Sequence, residues 1–344
     1  MSTSHCVVKP YEEADADRWN AYVHQSESGT FFHLAEWRAV LGDHLGHTTY
    51  YLYCERDGEI VAVLPLARVK SWLFGDALIS TPFLVYGGPI ASDEEASKKI
   101  IDAAKALAER LGVDYLEFRC RQPTTDWPRK ENFVTFRKRI SVDSDENLLA
   151  IPRKQRAVIR KAIKAGLGAE IDARTDRLHA VLSENKRNLG TPFFSNRYLQ
   201  CLKDTFRDRC EVMSITKDGN VLSGVMSFRF RDEILPYYGG GGLAARSTGA
   251  NDFMYWMVME NARTGGCSLF DYGRSRKDTG AYKFKAYWGF EPEQLSYEYY
   301  LVNATKLPSV DPSSARYRRV VSAWSRLPLW VARLVGPHLA RLLG

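Results

Sequence analysis

At 344 residues the chain is long enough for two domains of ordinary size, and its 45% hydrophobic and 26% charged residues exclude general disorder. Forty-eight basic against forty-one acidic residues leave a net charge of +7 and a pI near 9.0. That balance favours anionic partners but falls short of a dedicated chromatin or ribosomal protein, and no DNA partner is expected.

The N-terminal stretch MSTSHCVVKPYEEADADRW has no basic segment followed by an apolar run, and no 18 apolar residues occur in succession, so a cytoplasmic protein is expected. Cys6, Cys54, Cys120, Cys201, Cys210 and Cys267 form no C-x-x-C pair, which predicts reduced, mostly buried thiols. His44 and His47 have ligand-like spacing without a third partner, and no metal site is expected.

The first unit opens on a helical pattern, FFHLAEWRAVLGDHLG, from Phe31. CERDGEIVAVLPLARV, from Cys54, reads as a hairpin about an Asp-Gly turn, because glycine supplies the positive φ of a tight turn. Tyr86-Gly87-Gly88 follows, then a helix opening at Ser92 with acids in its first turn, then a strand from Val113. The polar run SVDSDEN, from Ser141, marks a boundary near residue 145.

The same order recurs beyond it: a second Asp-Gly hairpin from Ile215, Tyr238-Gly239-Gly240, a helix ending at Gly265 and a strand from Ser268. A repeat of this length predicts two copies of one α/β unit with mixed sheets: residues 1–145, 146–311, and a tail over 312–344. The run Gly239 to Gly242 fits no nucleotide-binding loop and predicts a strand end where backbone or ligand approaches closely.

Three segments carry candidate chemistry. The helix PRKQRAVIRKAIKAG places Arg153, Lys154, Arg156, Arg160, Lys161 and Lys164 around its circumference with no acid among them, the pattern of a polyanion-binding face. In FDYGRSRKDTGAYKFKAYWGFEP a buried strand ends at Asp271, so Asp271, Tyr272, Arg274 and Ser275 project into a cleft. Arg274 suits a carboxylate or phosphate and Asp271 an amine's proton; Thr279 caps a short helix that sends Lys283 and Lys285 to different faces, with Tyr282 between them. The tail has Arg316, Arg318, Arg319, Arg326, Arg333 and Arg341, no acid, and alternating Val320, Trp324, Trp330 and Leu334. It suits an anionic membrane surface at the inner face of the cytoplasmic membrane, or docking on the second domain.

RNLGTPFFSNRYL, LPYYGGGG, GANDFMYW and FDYGRSRKDTGAYKFKAYWGFEP, in that order, resemble the FemAB family, specifically the FemAB-like proteins associated with exosortase and PEP-CTERM systems. The resemblance implies two tandem acetyltransferase-like (GNAT) domains and transfer of an acyl or aminoacyl group to an amine of a cell-envelope or exopolysaccharide precursor. The donor is then a co-substrate, charged tRNA or acyl-CoA, and no tightly bound cofactor is expected. The acetyl-CoA class has an R/Q-x-x-G-x-G/A loop; the matching residues run from Arg246 to Asn251, and Asn251 departs from the pattern. Asp271, Arg274 and Lys285 are the expected catalytic residues, and Tyr238, Gly240, Ser275, Tyr282 and Lys283 the expected substrate contacts. The alternatives are an acetyl-CoA-dependent acetyltransferase and a non-catalytic membrane-surface scaffold.

Overall fold

The computed structural model describes residues 5–71, 75–308 and 315–342, with the backbone alone for 315–317. The tail's residues 312–314, 343 and 344, and the side chain of Arg316, lie outside the described residues.

In chain order the first elements are β1 (Val7–Pro10), α1 (Ala16–Gln25), α2 (Trp37–Ala39), β2 (Thr48–Thr49), β3 (Leu52–Arg56), β4 (Glu59–Leu64), β5 (Leu66–Ser71), β6 (Gly75–Ser80), β7 (Ile90–Ala91), α3 (Glu94–Leu111), β8 (Tyr115–Cys120) and β9 (Arg129–Lys130). Then come β10 (Phe133–Arg139), α4 (Ser144–Ala150), α5 (Arg153–Lys164), β11 (Gly168–Ile171), α6 (Asp176–Asn188), α7 (Asn196–Phe206), β12 (Cys210–Lys217), β13 (Asn220–Phe230) and β14 (Glu233–Gly241). The chain finishes with α8 (Leu243–Thr248), α9 (Ala250–Thr264), β15 (Leu269–Asp271), β16 (Ser275–Arg276), α10 (Gly280–Tyr287), β17 (Pro292–Gln294), β18 (Ser296–Leu301), α11 (Ala315–Ser325) and α12 (Leu329–Ala340).

These form two compact units: Met1–Phe133 with Gln294–Ser309 and Leu342–Gly344, and Val134–Glu293 with Val310–Arg341. Among the described residues, unit 1 holds the sheets β1-β3-β4-β7 and β2-β5-β6-β8-β18-β9, and unit 2 is built on β11-β12-β13-β14-β15-β10-β16. The division differs from a cut at residue 145. β10, early in the chain, lies beside β15 in the second unit's sheet, and β18, late in the chain, lies beside β8 in the first. Apolar alternation marks a strand but not its partner, so this exchange left no local signal.

The two hairpins form as the Asp-Gly turns require. Asp57 and Gly58 have φ 52° and 84°, and Asp218 and Gly219 have 50° and 77°, the left-handed pair that joins β3 to β4 and β12 to β13. Each unit packs one long helix on its sheet. α3 is capped by Asp93, whose carboxylate accepts from the Ala96 N–H, and ends at left-handed Gly112; it buries Ala96, Ile100, Ala104, Leu107 and Ala108. α9 buries Phe253, Met254, Trp256, Val258, Met259 and Ala262.

Two expectations are corrected. The segment from Phe31 is no continuous helix but a 3₁₀ turn over Phe31–His33, the short α2 and a π turn over Val40–His44. Its buried aromatics dictate this: Trp37 Nε1 donates to the Phe31 carbonyl at 3.1 Å, a bond a regular helix would not allow. Cys6, just before β1, and Cys54 of β3 are joined as a disulfide, whereas Cys120, Cys201, Cys210 and Cys267 are buried outside any disulfide. The β1–β3 register sets Val8 opposite Cys54 and so brings Cys6, two residues earlier, near it, which a 48-residue separation in sequence does not announce.

Candidate active site in unit 2

The strands β14 and β15 run parallel and pair at Glu233↔Leu269 and Ile234↔Phe270. Beyond that they part. β14 continues to Gly241, while β15 ends at Asp271. A bulge helps to re-aim β14: Met226 faces Tyr238 and Ser227 faces Pro236, so Tyr237 is the extra residue.

The glycines on β14 are dictated by crowding from both sides. A Cβ on Gly239 would lie 2.9 Å from the Tyr255 hydroxyl, and one on Gly241 would lie 2.4 Å from Ala245 Cβ and 2.7 Å from Asn251 Oδ1. On the other face, Gly240 lies against Asn185 and Leu182 of α6, and Asn185 Nδ2 donates to the Gly241 carbonyl at 2.8 Å. Gly240 is thus a helix-packing position, which is where the structure places this expected substrate contact.

Tyr238 stands on the α6 and α7 side among Phe193, Phe194, Tyr198 and Tyr237, with ring centroids 4.6–6.4 Å away. Its hydroxyl lies 3.4 Å from that of Tyr198, and burial in this cluster holds its phenol well above the usual range, with Arg274 acting the other way.

Opposite, the turn after β15 is held by Lys285. Thr279 caps α10 by accepting from the Tyr282 N–H, which sets Lys285 inward, and it is 8% exposed. Its ammonium donates to the carbonyls of Tyr272 at 2.7 Å, Gly273 at 2.8 Å and Arg274 at 3.3 Å. Three acceptors match the three protons of an ammonium. Burial nevertheless pushes Lys285 down to about 7, opposed by Asp271 and reinforced by Arg274 and Lys186.

Asp271 is anchored from both sides. Oδ1 accepts from Thr135 Oγ1 at 3.1 Å and from the Gly273 N–H at 2.7 Å, and Oδ2 lies 3.3 Å from Arg137 Nε. Arg274 is half-buried and acts electrostatically on both Tyr238 and Lys285. The structure therefore brings Tyr238, Asp271, Arg274 and Lys285 together, with Ser275 beside them on β16. Lys283 is exposed on the opposite side of α10, and Tyr282 packs edge-on against Phe136 at 5.3 Å.

Three buried polar atoms here have no hydrogen-bond partner among the described residues: Tyr272 Oη, Ser275 Oγ and Asn251 Oδ1. Sequence reasoning missed Asn185, Lys186, Tyr198 and Tyr255. Lys186 sits in the last turn of α6, where a mixture of acids and bases reads as a solvated face; burial pushes its ammonium down. Trp288 and Phe290 are packing residues, and Trp288 Nε1 donates to Asp252 Oδ1 at 3.0 Å.

α5 forms as expected, burying Ile159 and Ala162. Arg153, Arg156, Arg160, Lys161 and Lys164 line one open recess of about 600 Å³, with Lys154 exposed nearby in sequence. Among the described residues none of the six bases has an acidic partner. The helix packs at the start of α9, where a Cβ on Gly249 would lie 2.7 Å from Val158. The segment before it is the helix α8, and the Ser247 and Thr248 hydroxyls donate back to the Ala244 carbonyl. Among the described residues no group of three His, Cys, Asp or Glu is placed to hold a metal ion.

The profile of the acetyltransferase (GNAT) domain matches residues 153–286. A comparison with characterised proteins by sequence yields no match. Among solved structures, the crystal structure of FemX superimposes with a TM-score of 0.65 at 16% identity, covering 86% of this chain and 98% of that one. The C-terminal domain of a putative lysylphosphatidylglycerol synthetase from Agrobacterium fabrum gives 0.56 at 14%, covering 83% and 91%. A tandem GNAT protein from the clavulanic acid biosynthesis pathway gives 0.54 at 11%, covering 88% and 100%. The fold is thus a mixed α/β tandem GNAT-like one, and the matched GNAT domain supports an acyltransferase.

Proposed function

We propose that the chain is an N-acyltransferase of the FemAB and GNAT type, in which unit 2 transfers an acyl or aminoacyl group to an amine of a cell-envelope or exopolysaccharide-related acceptor. The observation that carries this reading is the parting of β14 from β15, with Tyr238 and Arg274 on its two sides and unpartnered polar atoms around it. The amine nitrogen attacks the acyl carbonyl, a C–N bond forms, and the donor's C–O or C–S bond breaks. One proton passes from the amine to solvent water and one reaches the departing oxygen or sulfur, its donor being reprotonated from solvent. Tyr238, kept protonated by burial, supplies the second. Arg274 binds the donor's anionic group or the developing oxyanion. Lys285, bonded to the carbonyls of the turn, and Asp271, bonded to the Gly273 N–H and to Thr135 of β10, position Arg274.

For the donor, the six bases of α5 beside the start of α9 favour a phosphodiester chain, as in charged tRNA. Asn251 and the acidic Asp252 in the first turn of α9 disfavour a coenzyme A pyrophosphate there. An acetyl-CoA-dependent enzyme is the second reading, supported by the matching domain profile. Thermal unfolding with acetyl-CoA or charged tRNA separates the two, because the true donor raises the midpoint. Incubating the purified chain with each donor and a set of amine acceptors, with product detection by mass, tests the activity itself. No acylated amine with any donor would leave the scaffold reading standing.

A further inference from the structure

The C-terminal helices do not pack as a soluble amphipathic tail does. α12 turns its small residues inward: Ala332, Gly336 and Ala340, four apart, are buried. A Cβ on Gly336 would come within 3.1 Å of the Phe193 carbonyl, so the backbone itself lies against unit 2. Arg333 fixes the docking, donating from Nε to Ser183 Oγ at 2.9 Å and from Nη2 to the Ala180 carbonyl at 3.2 Å, and Arg187 Nη1 reaches the Leu327 carbonyl at 3.2 Å. The large apolar residues face out instead: Trp330 is 68% exposed, Leu334 64% and, on α11, Val320 61%. Burying such side chains is favourable, so a helix that had only to dock on α6 would turn that face inward.

We infer that this outward face is a binding surface for an anionic lipid bilayer. Trp330 and Leu334, one turn apart, are the inserting residues; tryptophan favours the headgroup level. The charge around them decides the occupant. Arg318, Arg319, Arg326 and Arg341 are exposed, and the tail has no Asp or Glu from Pro312 to Gly344, a pattern that repels basic surfaces and is drawn to anionic headgroups. No helix among the described residues is long and apolar enough to cross a membrane, so the contact lies in the interface. The inference stands apart from the acyltransferase reading and uses none of its residues.

Co-sedimentation of the full chain with vesicles of phosphatidylcholine alone, or mixed with phosphatidylglycerol, tests it. Binding to the mixed vesicles is expected, with at least tenfold loss in the double variant Trp330→Glu/Leu334→Glu, whose exposed positions leave the thermal midpoint unchanged. Arg326→Gln and Arg341→Gln, which spare the apolar face, each weaken binding about fivefold. Equal binding to both vesicle types, no binding to either, or undiminished binding by all these variants overturns the inference. So does self-association, read by light scattering, that the double variant abolishes while vesicle binding is absent.

Discussion

The two units part their parallel strands at the same place and fill the opening differently. In unit 1, β6 pairs with β8 through Ile79↔Glu117, and then residues 81–88 occupy the gap. Gly87 and Gly88 both donate to the Arg119 carbonyl, Arg119 donates to the Leu84 carbonyl, and Tyr297 donates to that of Val85. Leu84, Val85 and Tyr86 are buried. Among the described residues of unit 2 no such segment intervenes: β14 runs on through its glycines to α8, and the unpartnered polar atoms nearby are those of Tyr272, Ser275 and Asn251. The same architecture has its parting filled by a chain segment in one copy and bordered by polar side chains in the other.

The largest expected effect tests the plug. Arg119→Ala breaks a buried pair with Glu117, made at 2.8 Å, and should cost unit 1 about 3–5 kcal/mol in chemical denaturation. Turnover per folded molecule should hold; a loss of turnover without loss of stability would break the comparison. Next come the glycines. Gly88→Ala meets Cys120 Sγ at 2.2 Å and Gly241→Ala meets Ala245 at 2.4 Å, so each should destabilise by about 1–3 kcal/mol. Of the two, Gly241→Ala alone should also slow transfer by the folded fraction.

Arg274→Ala and Lys285→Ala should each slow transfer at least tenfold, about 1.4 kcal/mol, in a product-forming assay. Unaltered turnover in both would remove the site. Lys285 also predicts a pH signature. Its folded value, about 7, lies below its ordinary 10.5, so between these the unfolded chain holds more protons and stability rises with pH on its account. Below about pH 7 the cost of the buried charge is fully present. Urea denaturation at pH 7 and pH 9.5 should show this rise in the parent and a flatter profile in Lys285→Met. The smallest effect concerns α5: Arg156→Gln or Arg160→Gln should raise the donor's KM about two- to fivefold, leave kcat unchanged and lessen the salt dependence.

The hairpins, the long helices, the capped α10 and the inward lysine were legible because each is written in a few neighbouring residues: Asp-Gly, an N-cap, a helical spacing. Tyr86-Gly87-Gly88 and Tyr238-Gly239-Gly240 show the limit. The tripeptides are alike, yet the first belongs to the plug and the second to a strand. What separates them is Thr81, whose side chain lies against Gly87, and the Tyr237 bulge, neither of which a local pattern marks. Asp271 was found by its strand-end position, but its anchoring by Thr135 and Arg137 depends on β10, which arrives from far back in the chain. Lys186 was hidden by the polar company of α6.

The strand exchange has a consequence for how the protein is made. β18 pairs with β8 over six residue pairs, from Ser296↔Cys120 to Leu301↔Tyr115. A ribosome releases Val134–Glu293 of the second unit before it releases this strand, so unit 1 waits, with the edge of β8 open, while those residues are made. Long-range pairing of this kind slows folding and exposes an aggregation-prone edge in the interval. A chain terminated at Glu293 should reach the insoluble fraction through its N-terminal unit, although every residue of β1 to β9 is present. Refolding should speed when residues 294–309 are supplied as a separate peptide.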